Sequence, residues 1–105
     1  MPRLFEAPRA EVDIRSVLAH TLDEWGPTKY WEYRDLIEEA FEEILSNPDC
    51  GRVMLASRAC IRGHHIRKPG RNARHIVCYR VTTNGDVEVV RFLHDAMDHA
   101  RHLPK

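Results

Sequence analysis

The spacing of apolar residues changes once along this chain, and that change limits the folds open to it. Between residues 9 and 25, Ile14, Val17, Leu18, Thr21, Leu22 and Trp25 recur three and four apart, as on one face of a helix. Gly26 suits the stop of that helix, and Pro27 suits the first turn of another. The second helix is predicted to end at Ser46, before Asn47-Pro48. Tyr30, Tyr33, Ile37, Ala40, Phe41 and Ile44 form its stripe, with Glu38, Glu39, Glu42 and Glu43 mostly off it. From residue 75 the period is two. The runs HIVCYRV (75–81) and VEVVRFL (87–93) are rich in β-branched and aromatic residues, and Asn84-Gly85 between them is a strong hairpin signal. A third strand is expected at residues 63–68, with Pro69-Gly70 in the connection, and a short one within residues 2–8. The order predicts an α+β fold over residues 1–105. A strand is followed by a two-helix hairpin and a three-stranded antiparallel meander, with the helices packed on one sheet face.

Such a chain is large enough to bury a core without a metal or a disulfide. No apolar run approaches the roughly 20 residues that a membrane helix needs. The stretch MPRLFEAPRAEV is too polar for a signal peptide, so a cytoplasmic protein without a membrane partner is expected. Cys50, Cys60 and Cys78 form no CxxC pair and are read as free thiols, with Cys78 buried in a strand. The net charge of zero conceals an asymmetry. Residues 1–50 hold five Lys/Arg and twelve Asp/Glu; residues 51–105 hold eleven and four, plus six of the seven His. The basic half, including HHIRKPGRNARH (64–75), points to acidic or polyanionic partners.

A two-residue turn at Asn84-Gly85 would set Thr83 opposite Asp86, Val81 opposite Glu88, Tyr79 opposite Val90 and Val77 opposite Phe92. That face should receive the helices. The other would carry Ile76, Cys78, Val87, Val89 and Leu93, and with them Arg80 and Arg91. Two arginines on an apolar face need acids, water or a partner, and Asp95 and Asp98 are the nearest acids in sequence. His75 would face His94, near Cys60, His64 and His65, but the spacings match no zinc signature. No metal and no cofactor is therefore predicted. Nothing marks a nucleophile's turn or an oxyanion hole for a Cys–His pair. Grooves beside Val17, Leu22, Tyr33 and Ile37 suit an amphipathic partner segment. Trp31, off the main stripe, is either a partner anchor or part of the core's rim.

Several pieces together resemble the ParE branch of the ParE/RelE toxins of bacterial type II toxin–antitoxin systems. They are Trp25-Gly26, Asn47-Pro48 with Gly51-Arg52, Ile61-Arg62-Gly63, and the succession HxxxYRV…VVRxLHxxMD from His75 to Asp98. The resemblance implies the same fold and a toxin that blocks replication by inhibiting DNA gyrase, without enzymatic activity. It also implies a hetero-oligomeric complex with a neutralising ParD-like antitoxin, and no sequence-specific DNA binding by this chain. On that footing Val17, Leu22, Trp31, Tyr33, Ile37, Arg80 and Arg91 are the expected antitoxin contacts. The related RelE branch cuts mRNA on the ribosome. That alternative would use His65 or His94 as base or acid, with Arg67, Arg74, Arg80 and Arg91 as cations. Two departures favour it slightly. His65 stands where the family's Gly-x-Arg strand start has Arg, and the connection to His75 is longer and richer in Arg.

Overall fold

A computed structural model of the chain describes residues 2–54, 60–68, 71–94 and 99–103. Two helices, α1 (Pro8–Trp25) and α2 (Pro27–Ser46), occupy the predicted spans. Each has proline in its first turn, where the missing N–H has no helical partner to lose. Gly26 alone joins them. Its N–H donates to the Leu22 carbonyl at 3.0 Å, and its own carbonyl accepts from the Tyr30 N–H at 3.1 Å. One residue thus ends one helix and starts the next. Ala10, Ile14, Ile37, Ala40 and Ile44 are buried, with Val17, Leu18, Tyr33, Leu36, Phe41 and Leu45 packed at their margin. The stripe of α1 loses its cover after Leu18: Leu22 is 43% and Trp25 70% exposed.

The strands are β1 (Leu4–Glu6), β2 (Arg52–Val53), β3 (Arg62–Lys68), β4 (Arg71–Val81) and β5 (Val87–His94). They form a five-stranded sheet in the order β1-β5-β4-β3-β2. β1 runs parallel to β5 and every other pairing is antiparallel. The expected three-stranded meander is therefore the centre of a larger mixed sheet. β2 and the one-turn helix α3 (His99–His102) are too short to leave a periodic signal in sequence. The Pro69-Gly70 connection and both Asp95 and Asp98 lie outside the described residues.

The hairpin departs from the expected two-residue turn. Val81 pairs with Val87, and Thr82 N–H donates to the Asp86 carbonyl at 2.8 Å, leaving Thr83, Asn84 and Gly85 as a three-residue loop. Gly85 adopts φ 89°, a left-handed value that costs glycine little and suits this longer loop. The longer loop offsets the register by one, so Tyr79 opposes Val89 and Arg80 opposes Glu88. A bulge between Cys78 and Tyr79 then restores the expected pairs Val77–Phe92 and His75–His94. Two corrections follow. Val87 and Val89 join Tyr79, Val77 and Phe92 in the core beneath the helices, whereas Val90 moves to the opposite face. There it packs with Ile61, Ile76, Cys78, Leu93 and Leu103 in a second, smaller core.

Candidate functional site

Where α1 rises off the sheet, an open groove of about 1420 Å³ remains between the helices and the ends of β4 and β5. Val17, His20 and Thr21 line it from α1, and Tyr33, Leu36 and Glu39 from α2. Arg74, His75 and His94 close its sheet end. The expected pairing of His75 with His94 is present, their rings edge to face at 5.3 Å. His75 stacks on Phe92 at 5.1 Å with planes 7° apart, and Tyr33 meets it edge-on. The Tyr33 hydroxyl hydrogen-bonds His75 Nδ1, and burial pushes that hydroxyl up to about 12, so it stays protonated across the physiological range. The groove thus has an apolar middle, a cationic and imidazole end on the sheet, and acids along the exposed side of α2, with Lys29 paired to Glu32 at 3.2 Å.

The residues expected to contact an antitoxin stand in different environments. Val17 and Tyr33 line the groove, whereas Ile37 is 4% exposed in the core beneath the helices. Leu22 and Trp31 are exposed on the helices; Trp31 meets Tyr30 edge-on at 5.1 Å and carries the Arg34 guanidinium 5.3 Å over its ring. The two arginines both stand away from the groove. Arg80, at the turn end of the hairpin, donates to Glu88 at 2.6 Å and is 44% exposed. Arg91 is mostly buried. It forms a two-pronged pair with Asp13 of α1 at 2.7 and 3.0 Å and donates to the His102 carbonyl at 3.1 Å. The same Asp13 accepts the Phe92 N–H at 3.0 Å, at the edge of β5 that β1 no longer covers. The hydrogen bond to Asp13 raises the Arg91 guanidinium further above its ordinary value. A helix acid, which sequence proximity did not suggest, thus satisfies Arg91.

The nuclease candidates separate in the same way. Arg74 and His94 both line the groove, but half-buried His65 on β3 opposes Ile76 of β4, among residues of the sheet's other face. Arg80 and Arg91 are engaged elsewhere, and the Arg67 side chain lies outside the described residues. Sequence reasoning also missed a line of polar contacts at the other end of α2. Cys50, His64 and Glu43 are 14 and 21 positions apart, with no local spacing to betray them.

A helix hairpin laid over one face of a small mixed sheet, with a groove where the hairpin lifts away, defines a compact α+β class of protein. The family described as ParE toxin of type II toxin-antitoxin system, parDE, matches residues 6–99. Toxin ParE1 of Mycobacterium tuberculosis is 31% identical over 101 residues, covering 96% of this chain and 97% of that protein. Toxin ParE1 of Caulobacter vibrioides is 26% identical over 99 residues, covering 90% and 91%. The fold also matches a chain of the solved chromosomal ParDE TA system from P. aeruginosa. The TM-score is 0.72 at 18% identity, over 90% of this chain and 96% of that one. The chain belongs to the ParE toxin family.

Proposed function

We propose that this chain is the toxin of a type II toxin–antitoxin pair, that it inhibits DNA gyrase without catalysing a reaction, and that a ParD-like antitoxin neutralises it in the cytoplasm. Membership of the ParE family carries the reading. The groove supports the antitoxin part: its apolar middle suits an amphipathic segment, and its Arg74 and histidine end suits that segment's acids. Among the described residues, no helix is long and apolar enough to cross a membrane.

A second reading, a ribosome-dependent mRNA endoribonuclease, draws on one observation. Arg74, His75 and His94 share the groove's sheet end, which brings a cation and imidazoles together. One experiment separates the two. The protein is induced without antitoxin, and cells are assayed for gyrase-dependent DNA breaks and for codon-positioned mRNA cleavage. Breaks with intact mRNA are expected; cut mRNA with unbroken DNA reverses the order of the readings.

A further inference from the structure

At the opposite end of α2 from the groove, about 15 Å along the helix axis from Tyr33 to Glu43, three polar side chains form a line. Cys50 is exposed in the loop after α2, and its Sγ lies 3.7 Å from Nδ1 of His64 on β3. Nε2 of the same ring lies 3.1 Å from Oε2 of Glu43. The imidazole is 5% exposed, and the Glu43 side chain 46%. A carboxylate only accepts, so the ring proton facing Glu43 sits on Nε2, and Nδ1 presents its lone pair to the thiol. This is the order of a nucleophile, its base and the group that orients the base.

The loop that carries Cys50 is held from three sides. The Tyr79 hydroxyl donates to the Pro48 carbonyl at 2.6 Å, accepts the Gly51 N–H at 3.0 Å, and stands 4.0 Å from Cys50 Sγ. Burial is the main cause that pushes this hydroxyl up to about 12, so it remains protonated beside the thiol. Arg62 donates to the Gly51 carbonyl at 2.8 Å and faces the Asp49 carboxylate at 3.6 Å. A Cβ on Gly51 would lie 2.7 Å from the Tyr79 hydroxyl and 3.0 Å from the Gly63 carbonyl, so this close approach requires glycine. The other two thiols supply internal comparisons. Cys60 is exposed and outside this line; Cys78 is fully buried, and burial pushes its thiol up to about 12.

We propose that Cys50 is a reactive nucleophilic thiol, with His64 as its base and Glu43 as the residue that positions His64, and that it exchanges with low-molecular-weight disulfides. His64 Nδ1 takes the thiol proton, and the sulfur attacks one sulfur of the reagent. A new S–S bond forms at Cys50 as the reagent's own S–S bond breaks. Cys50 is oxidised, half of the reagent is reduced, and that half leaves as a thiolate.

The test uses the full chain and the aromatic disulfide dithiobis(nitrobenzoate), whose released thiolate is coloured. At neutral pH, Cys50 in a Cys60→Ser protein should react about tenfold faster than Cys60 in a Cys50→Ser protein. Its rate should vary little with pH near neutrality. His64→Gln should slow it to the Cys60 rate and restore the rise with pH of an ordinary thiol. Equal rates for Cys50 and Cys60, or an unchanged Cys50 rate and pH profile in His64→Gln, overturn the proposal. Should His64→Gln not fold, Glu43→Gln decides. It alters a half-exposed helix residue, must still slow Cys50 and steepen its pH profile, and refutes the proposal by leaving both unchanged.

Discussion

The bulge at Tyr79 divides the β4–β5 hairpin into halves that treat their charged residues in opposite ways. On the far side, Arg91 is enclosed between α1 and α3, and its guanidinium is satisfied by Asp13 and the His102 carbonyl. On the turn side, Arg80 lies in the open against one strand neighbour, Glu88. The two arginines look equivalent in sequence, yet one is internal architecture and the other is surface. The difference originates in cover. β1 ends at Glu6, and α1 then brings Asp13 to the exposed edge of β5 beside Phe92 and Arg91.

The largest expected effect comes from removing that acid. The Asp13 and Arg91 side chains are only 15% and 11% exposed, so Asp13→Ala would leave a mostly buried guanidinium and the Phe92 N–H without their acceptor. Breaking such a pair costs about 3 kcal/mol, which for a domain of this size lowers the melting temperature by roughly 10–20 °C. Asp13→Asn retains an acceptor for the Phe92 N–H and should fall between the variant and the parent protein. Calorimetry decides. A melting temperature within a degree or two of the parent in Asp13→Ala would mean that the far half of the hairpin does not depend on this pair.

Tyr79, beside the bulge, gives the next effect. Tyr79→Phe removes the hydroxyl that joins Pro48 and Gly51, leaving a buried N–H unmatched at a cost of about 1–3 kcal/mol. The same hydroxyl is raised from 10.0 to about 12 in the fold, so the protonated form is the one the folded state favours. The associated stability is complete below pH 10 and is lost as pH rises from 10 towards 12. Tyr33 is raised over the same interval and adds to the loss. Denaturant titrations across that window should show stability falling with pH, and a shallower fall in Tyr79→Phe. An identical slope in both proteins would assign the alkaline loss to Tyr33 and other groups.

The same bulge marks the boundary of what the sequence could reveal. Helix spans were legible because apolar spacing and the proline and glycine positions near Gly26 and Pro48 agree with one another. The central strands were legible from their period of two. The faces of Val87, Val89 and Val90 were not, because the three-residue loop offsets the register and the bulge then cancels the offset. Valine reads alike on either face, so nothing in VEVVRFL signals the change. The groove was partly legible, through Val17 and Tyr33 and the pairing of His75 with His94. Ile37, on the same stripe as Tyr33, is instead core. Contacts made only by folding, Asp13 with Arg91 and Cys50 with His64, had no local pattern to announce them.

The smallest effect on stability, and the one most informative about partners, belongs to Arg80. Arg80 is 44% exposed, so solvent screens its side of the pair even though Glu88 is only 18% exposed, and Arg80→Ala should cost about 1 kcal/mol. That makes Arg80 a cleaner probe of antitoxin binding than Arg91, whose substitution disturbs α1 and α3 together. Reversing both charges at once would confuse loss of fold with loss of contact. Arg80→Glu sets an acid opposite the mostly buried Glu88, while the Asp13 pair stays whole. If the turn half of the hairpin receives acids of the antitoxin, this variant should bind it more weakly, with the loss greatest at low salt. Equal affinity in Arg80→Glu and the parent protein at physiological salt would confine antitoxin recognition to the helices and their groove.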